Sequence, residues 1–119
     1  MGEELLKILS VDPEKIEWIH DIDKETGDPF KLKELVIDEG SGLTVLYCVY
    51  PKGYIKPLHT HKFCQILYVL EGEMEADGKI YKKGQLVSYP EGVPGYHGAT
   101  KDADLIFLSI NSSDPKKYF

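Results

Sequence analysis

The chain has 119 residues, 42% of them hydrophobic and 29% charged, an ordinary composition for one globular domain with its own core. Its net charge is −6, and all of its cations are lysine. Without arginine's planar fork or a basic patch, phosphate and base edges are poorly read, so no nucleic-acid partner is expected. No apolar run is long enough for a membrane helix, the acidic start "MGEELLKIL" is unlike a secretory leader, and two cysteines are too few for a disulfide framework, which together predict a cytoplasmic protein away from membranes.

In chain order, "GEELLKIL" has apolar residues at 5, 6, 8 and 9, compatible with a short amphipathic helix or an exchanged arm. "DPEKIEW" carries a turn or helix-start signal, Pro after Asp. Thereafter short runs rich in Val, Ile, Leu, Tyr and Phe repeat: "LKELVID", "LTVLYCVYP", "YIKPLHTH", "QILYVLEGEMEA", "GKIYKKG", "QLVSYP" and "DLIFLSI". Glycine-bearing turns separate them, which predicts an all-β sandwich or barrel. Asp77-Gly78 is a favoured type I′ pair and predicts a hairpin. The whole chain, 1–119, reads as one domain, with an N-terminal arm over 1–25, short and helical or irregular.

Two histidines, His59 and His61, stand at i and i+2 in an apolar stretch. On a strand such a pair shares one face, so both imidazoles can converge on one ion. A third ligand must come from elsewhere. His97, delivered by the tight turn "YPEGVPGYH", is better placed than His20, which sits among acids in "EWIHDID" and reads as a surface residue. The alternative for the pair is two core histidines satisfied by backbone groups.

These residues carry a resemblance to the cupins. The first cupin motif, G-x5-H-x-H-x3,4-E-x6-G, is matched by Gly53, His59, His61, Gln65 and Gly72, with glutamine in place of glutamate. The second, G-x5-P-x-G-x2-H-x3-N, is matched by Gly84, Pro90, Gly92 and His97, with two extra residues before the histidine and Lys101 where asparagine would fall. The resemblance spans residues 43–110 and implies a jelly-roll β-barrel whose motif histidines line an interior site. More loosely, the chain resembles the cupins that include acetylacetone-cleaving and 2,4′-dihydroxyacetophenone dioxygenases, which build iron sites largely from histidines.

The resemblance thus implies one divalent transition metal on His59, His61 and His97, with Fe(II) favoured and Zn, Ni, Mn, Co or Cu as alternatives. It also implies a homodimer, with "ELLKIL" the natural contributor. Glutamine at 65 leaves the ion's double charge uncompensated, which favours an anionic chelating oxygen ligand such as a β-diketone enolate. Gln65 would position substrate or water, or act as a fourth ligand; filling the wall with a satisfied amide is its bland alternative. Leu67 and Val69 are expected as apolar walls of the site. Cys64 is expected to pack outside it. Glu71, Glu73 and Glu75 are expected on a solvated hairpin, and Tyr96 in the wall. The function implied is a non-haem iron dioxygenase cleaving a small dicarbonyl or hydroxyketone. A non-enzymatic metal- or ligand-binding sensor and a metal-dependent isomerase are the alternatives.

Overall fold

In the computed structural model, residues 9–60 and 63–112 are described. They form ten strands: β1 (Ile19–Ile22), β2 (Pro29–Asp38), β3 (Leu43–Tyr50), β4 (Ile55–His59), β5 (Cys64–Glu71), β6 (Glu73–Ala76), β7 (Lys79–Lys82), β8 (Leu86–Tyr89), β9 (Gly95–Ala99) and β10 (Leu105–Ser112). All pairings are antiparallel. One sheet has the order β1-β2-β3-β10-β5-β8 and the other β4-β9-β6-β7. The architecture is the expected all-β jelly roll, although its two sheets do not close into a formal barrel.

Alternation along the long strands explains the core. On β5, Gln65, Leu67 and Val69 are buried while their neighbours are half-exposed, and on β10 Leu105, Phe107, Ser109 and Asn111 are buried in the same phase. From the opposite sheet come Met74, Ala76 and Ala99. Asp77 and Gly78 have φ of 50° and 83°, so the β6–β7 hairpin turns through the pair singled out in the sequence.

The glycine- and proline-rich stretch does turn before His97, with the Val93 amide donating to the Pro90 carbonyl and Gly92 at φ 80°, and it leads into β9, on which His97 lies. Two expectations need correction. Within residues 1–25, the described part is not merely helical or irregular, because β1 pairs along β2 after a single 3₁₀ turn at Pro13–Lys15, capped by the Asp12 carboxylate. β4 ends at His59, so strand geometry does not continue through Thr60 to carry the i, i+2 argument; His61 itself lies outside the described residues. Most of the "ELLKIL" segment also lies outside them.

On the outer face of the larger sheet, Trp18 stacks at a tilt against Tyr47 with ring centroids 5.9 Å apart. The Lys31 and Lys33 ammonium groups lie 4.3 and 4.5 Å from its centroid, a cation–π arrangement, and Lys33 also donates to the Pro13 carbonyl. This fixes the segment before β1 to the sheet.

Candidate metal and ligand site

β4 and β9 supply one wall of an interior cavity. Lys56 is registered opposite His97, and His59 opposite Gly95, with an irregularity between Lys56 and His59. Residues three apart on a regular strand point to opposite faces, but this irregularity, which contains Pro57, lets both Lys56 and His59 line the cavity. The Pro57 carbonyl then lies 2.7 Å from His59 Nδ1. A carbonyl only accepts, so Nδ1 carries the proton and Nε2 holds the lone pair suited to a metal.

His97 is 3% exposed, and its ring centroid is 5.5 Å from that of His59. Its plane is fixed by Tyr50, nearly parallel at 13° and 5.9 Å, and by the edge of Phe107. The Tyr50 hydroxyl lies 3.5 Å from His97 Nε2. Burial raises the Tyr50 pKa well above the usual phenol range, so it stays a neutral hydroxyl.

The other wall brings in Gln65, whose Nε2 donates to Ser109 Oγ at 3.2 Å. His59, Gln65 and His97, with Tyr89, Val93 and Gly95, surround a void of about 10 Å³. That is room for about one water-sized or ion-sized species. The same three residues also line a larger cavity of about 330 Å³, walled by aromatic and aliphatic groups including Phe30, Leu46, Phe63 and Phe107. Two imidazoles and an amide oxygen around an ion-sized void form a donor set that suits a divalent transition metal. Among the described residues no three His, Cys, Asp or Glu side chains converge, and the third expected ligand, His61, lies outside them.

The electrostatics differ from those of the surface. The chain carries −6 overall, yet among the described residues no Asp or Glu lines either void. Lys56 is a cation in the cavity wall; it also borders an adjoining groove with Asp23 and Glu25, where it helps lower the Asp23 pKa. The first cause of that lowering is the hydrogen bond from the Tyr54 hydroxyl. Cys48 also lines the cavity, but burial pushes its thiol up to about 12, so it acts as an apolar wall and not a thiolate ligand.

Leu67 and Val69 are fully buried on the same face of β5 as Gln65, but they lie in the core and are not among the cavity's lining residues. Cys64 contacts the Ser112 carbonyl through its thiol. Tyr96 donates to Glu75 and accepts from the Gly78 amide, so it belongs to the hairpin wall. Glu71 pairs with Lys83, and Glu73 accepts from Thr100. His20 is exposed and lines a separate groove with Pro29, Lys31 and Asp104.

The sequence reading missed Lys56, Tyr50, Thr44, Ser109 and Asn111. Phase was the available signal for the last two: counting by twos from Leu105 and Phe107 reaches Ser109 and Asn111 on the buried face.

An antiparallel double sheet enclosing histidines and an apolar cavity defines a jelly-roll scaffold. The cupin-domain family profile matches residues 45–111, and the chain belongs to that family. No curated protein matches it. Among solved structures, it is similar to a predicted oxalate decarboxylase from Thermotoga maritima, at 21% identity and a TM-score of 0.75 over 87% of this chain and 98% of that one. It is similar to an RmlC-like cupin from Ralstonia eutropha, at 19% identity and a TM-score of 0.80, over 94% of this chain and 73% of that one. Fe(II)-HppE bound to an alternative substrate is similar at 18% identity and a TM-score of 0.72, over 87% of this chain and 60% of the other. Identities at this level speak for the fold.

Proposed function

We propose that this chain is a metal-dependent cupin enzyme holding one divalent metal on His59, His61 and His97, with Fe(II) the favoured ion. The observation that carries the reading is a single one: two inward imidazoles and Gln65 share an ion-sized void that adjoins an apolar cavity lined by no carboxylate among the described residues. The iron(II) form of HppE, with the same overall fold, is a metal-bearing precedent for the scaffold.

When bound, such an ion supplies Lewis acidity and a meeting point for substrate and dioxygen. The chain's own residues do the rest. The Pro57 carbonyl holds the His59 tautomer, and Tyr50 and Phe107 hold the His97 plane. Gln65, neutral and steadied by Ser109, orients substrate or water without cancelling charge. Lys56 adds attraction for an anion, and the aromatic walls exclude bulk water. These properties favour a small anionic chelator such as a β-diketone enolate or a hydroxyketone, cleaved at a C–C bond with uptake of one O₂ per substrate. The chain works as a homodimer in this reading.

Metal analysis of the purified protein beside His59→Ala, followed by oxygen uptake with a panel of β-diketones and hydroxyketones, tests the proposal. Expected are stoichiometric metal in the wild type, its loss in the variant and uptake with at least one panel member. Unchanged metal content in His59→Ala overturns the site. Iron-loaded protein that consumes no oxygen overturns the dioxygenase reading and turns attention to ligand binding or anaerobic isomerisation.

A further inference from the structure

One row of residues crosses the larger sheet at the cavity: Thr44 on β3 is registered with Asn111 on β10, Asn111 with Gln65 on β5, and Gln65 with Tyr89 on β8. Asn111 is 6% exposed and lines the 330 Å³ cavity. Its Nδ2 donates to Thr44 Oγ1 and to Ser109 Oγ, both at 3.1 Å. An amide nitrogen has two hydrogens, and two oxygens receive them. The carbonyl arm of the same planar amide, Oδ1, is buried with no hydrogen-bond partner, alone among the buried side-chain polar atoms of the described residues.

A buried acceptor left without a donor is costly, and native proteins rarely tolerate it unless a water or ligand completes it. Asn111 lines the cavity one strand away from Gln65, and neighbouring strands are about 4.8 Å apart, so a modest turn of its amide would bring the covered Oδ1 to a ligand there. We infer that Asn111 Oδ1 is a specificity subsite for a neutral hydrogen-bond donor, a hydroxyl or N–H carried by the substrate about one strand spacing beyond the atoms that reach Gln65. Phe30, Leu46 and Phe107 pack the intervening apolar body. The substrate is then a hydroxyl- or amide-bearing molecule with an aromatic or aliphatic centre, and its unsubstituted analogue is rejected because it leaves the acceptor unpaired. This deepens the proposed function by naming a feature of the substrate, and it rests on that reading only in taking the cavity as the ligand site.

Phenol and anisole form a matched pair of probes, equal in ring and different in the donor. Titrating each into ¹⁵N-labelled full-length protein, with the backbone amide signals of the cavity-lining residues as readout in wild type and variants alike, should show phenol binding the wild type about tenfold more tightly, the size of one buried hydrogen bond. Asn111→Leu should bring the two within about twofold of each other. Asn111→Asp, which keeps an acceptor oxygen and nearly the same shape, should retain the preference for phenol; it decides the matter if the leucine variant does not fold. Equal affinity for phenol and anisole in the wild type, or no binding of either at millimolar concentration, overturns the subsite. Neither probe needs a metal. A phenol preference in protein that fails to bind metal therefore sinks the metal reading alone, and equal affinities in metal-binding protein sink this inference alone.

Discussion

The smaller sheet presents Lys56, His59 and His97 to the cavity, whereas the larger sheet faces it with Thr44, Gln65, Ser109 and Asn111. The first wall can hold charge; the second combines apolar groups with polar side chains that are all neutral. They also differ in construction. The imidazole wall rests on two five-residue strands, one interrupted at Pro57 and the other rich in glycine. The amide wall is carried by eight-residue strands, of which β5 and β10 alternate regularly in burial. The contrast teaches that cationic and neutral recognition are separated by sheet, so each can be altered with the other left in place.

The strongest way to break the comparison is to pull the walls apart. Gly72 is where the chain passes from β5 in one sheet to β6 in the other; its φ is +82°, and an added Cβ would lie 2.1 Å from the Asp104 carbonyl oxygen. Both the left-handed backbone and the collision with main chain oppose any side chain. Gly72→Ala is expected to destabilise the fold by about 3–5 kcal/mol, read from the urea midpoint.

Next in size is charge on the neutral wall. Gln65→Glu is expected to tighten metal retention about tenfold and to weaken an anionic chelator by a similar factor, because a carboxylate supplies the compensation that the ligand otherwise provides. Chelator competition and direct titration measure the two arms, and equal chelator affinity in both proteins refutes the electrostatic argument. Lys56→Met is milder, about threefold weaker for an anionic chelator and unchanged for a neutral probe, since its ammonium is partly solvated and also near Asp23.

The smallest effect is a pH dependence. The Tyr54 hydroxyl donates to Asp23 at 2.6 Å and holds that carboxyl below its ordinary value of 3.8. A lowered folded-state pKa contributes stability above the unfolded value that is lost as pH falls through the folded one. Wild type and Asp23→Asn should therefore differ in urea midpoint at pH 6 and converge below about pH 4. A gap that persists at low pH removes the carboxylate from the account.

Of the amide wall only Gln65 was read from the sequence; alternation survives in the long strand β5, so its phase with Leu67 and Val69 places it on the buried face. The imidazole wall was legible through histidine spacing and family resemblance, not through a strand pattern at His97. β9 reads as "GYHGA", two of whose five residues have no side chain, so no pattern announces a strand. Lys56 was invisible because the irregularity at Pro57 reverses the parity on which the reading depended. Asn111 was lost for a different reason: a polar residue ending an apolar run looks like an edge until its partners Thr44 and Ser109 are known to come from the same buried face.

Trp18 is the chain's single tryptophan, and it sits against Tyr47, Lys31 and Lys33, which alternate with the cavity-lining Leu46, Cys48 and Leu32 and so occupy the opposite face of the sheet. Intrinsic fluorescence therefore reports how the leading segment docks on the exterior. Filling the interior should leave emission nearly constant, and a quenching assay that registers nothing says little about occupancy.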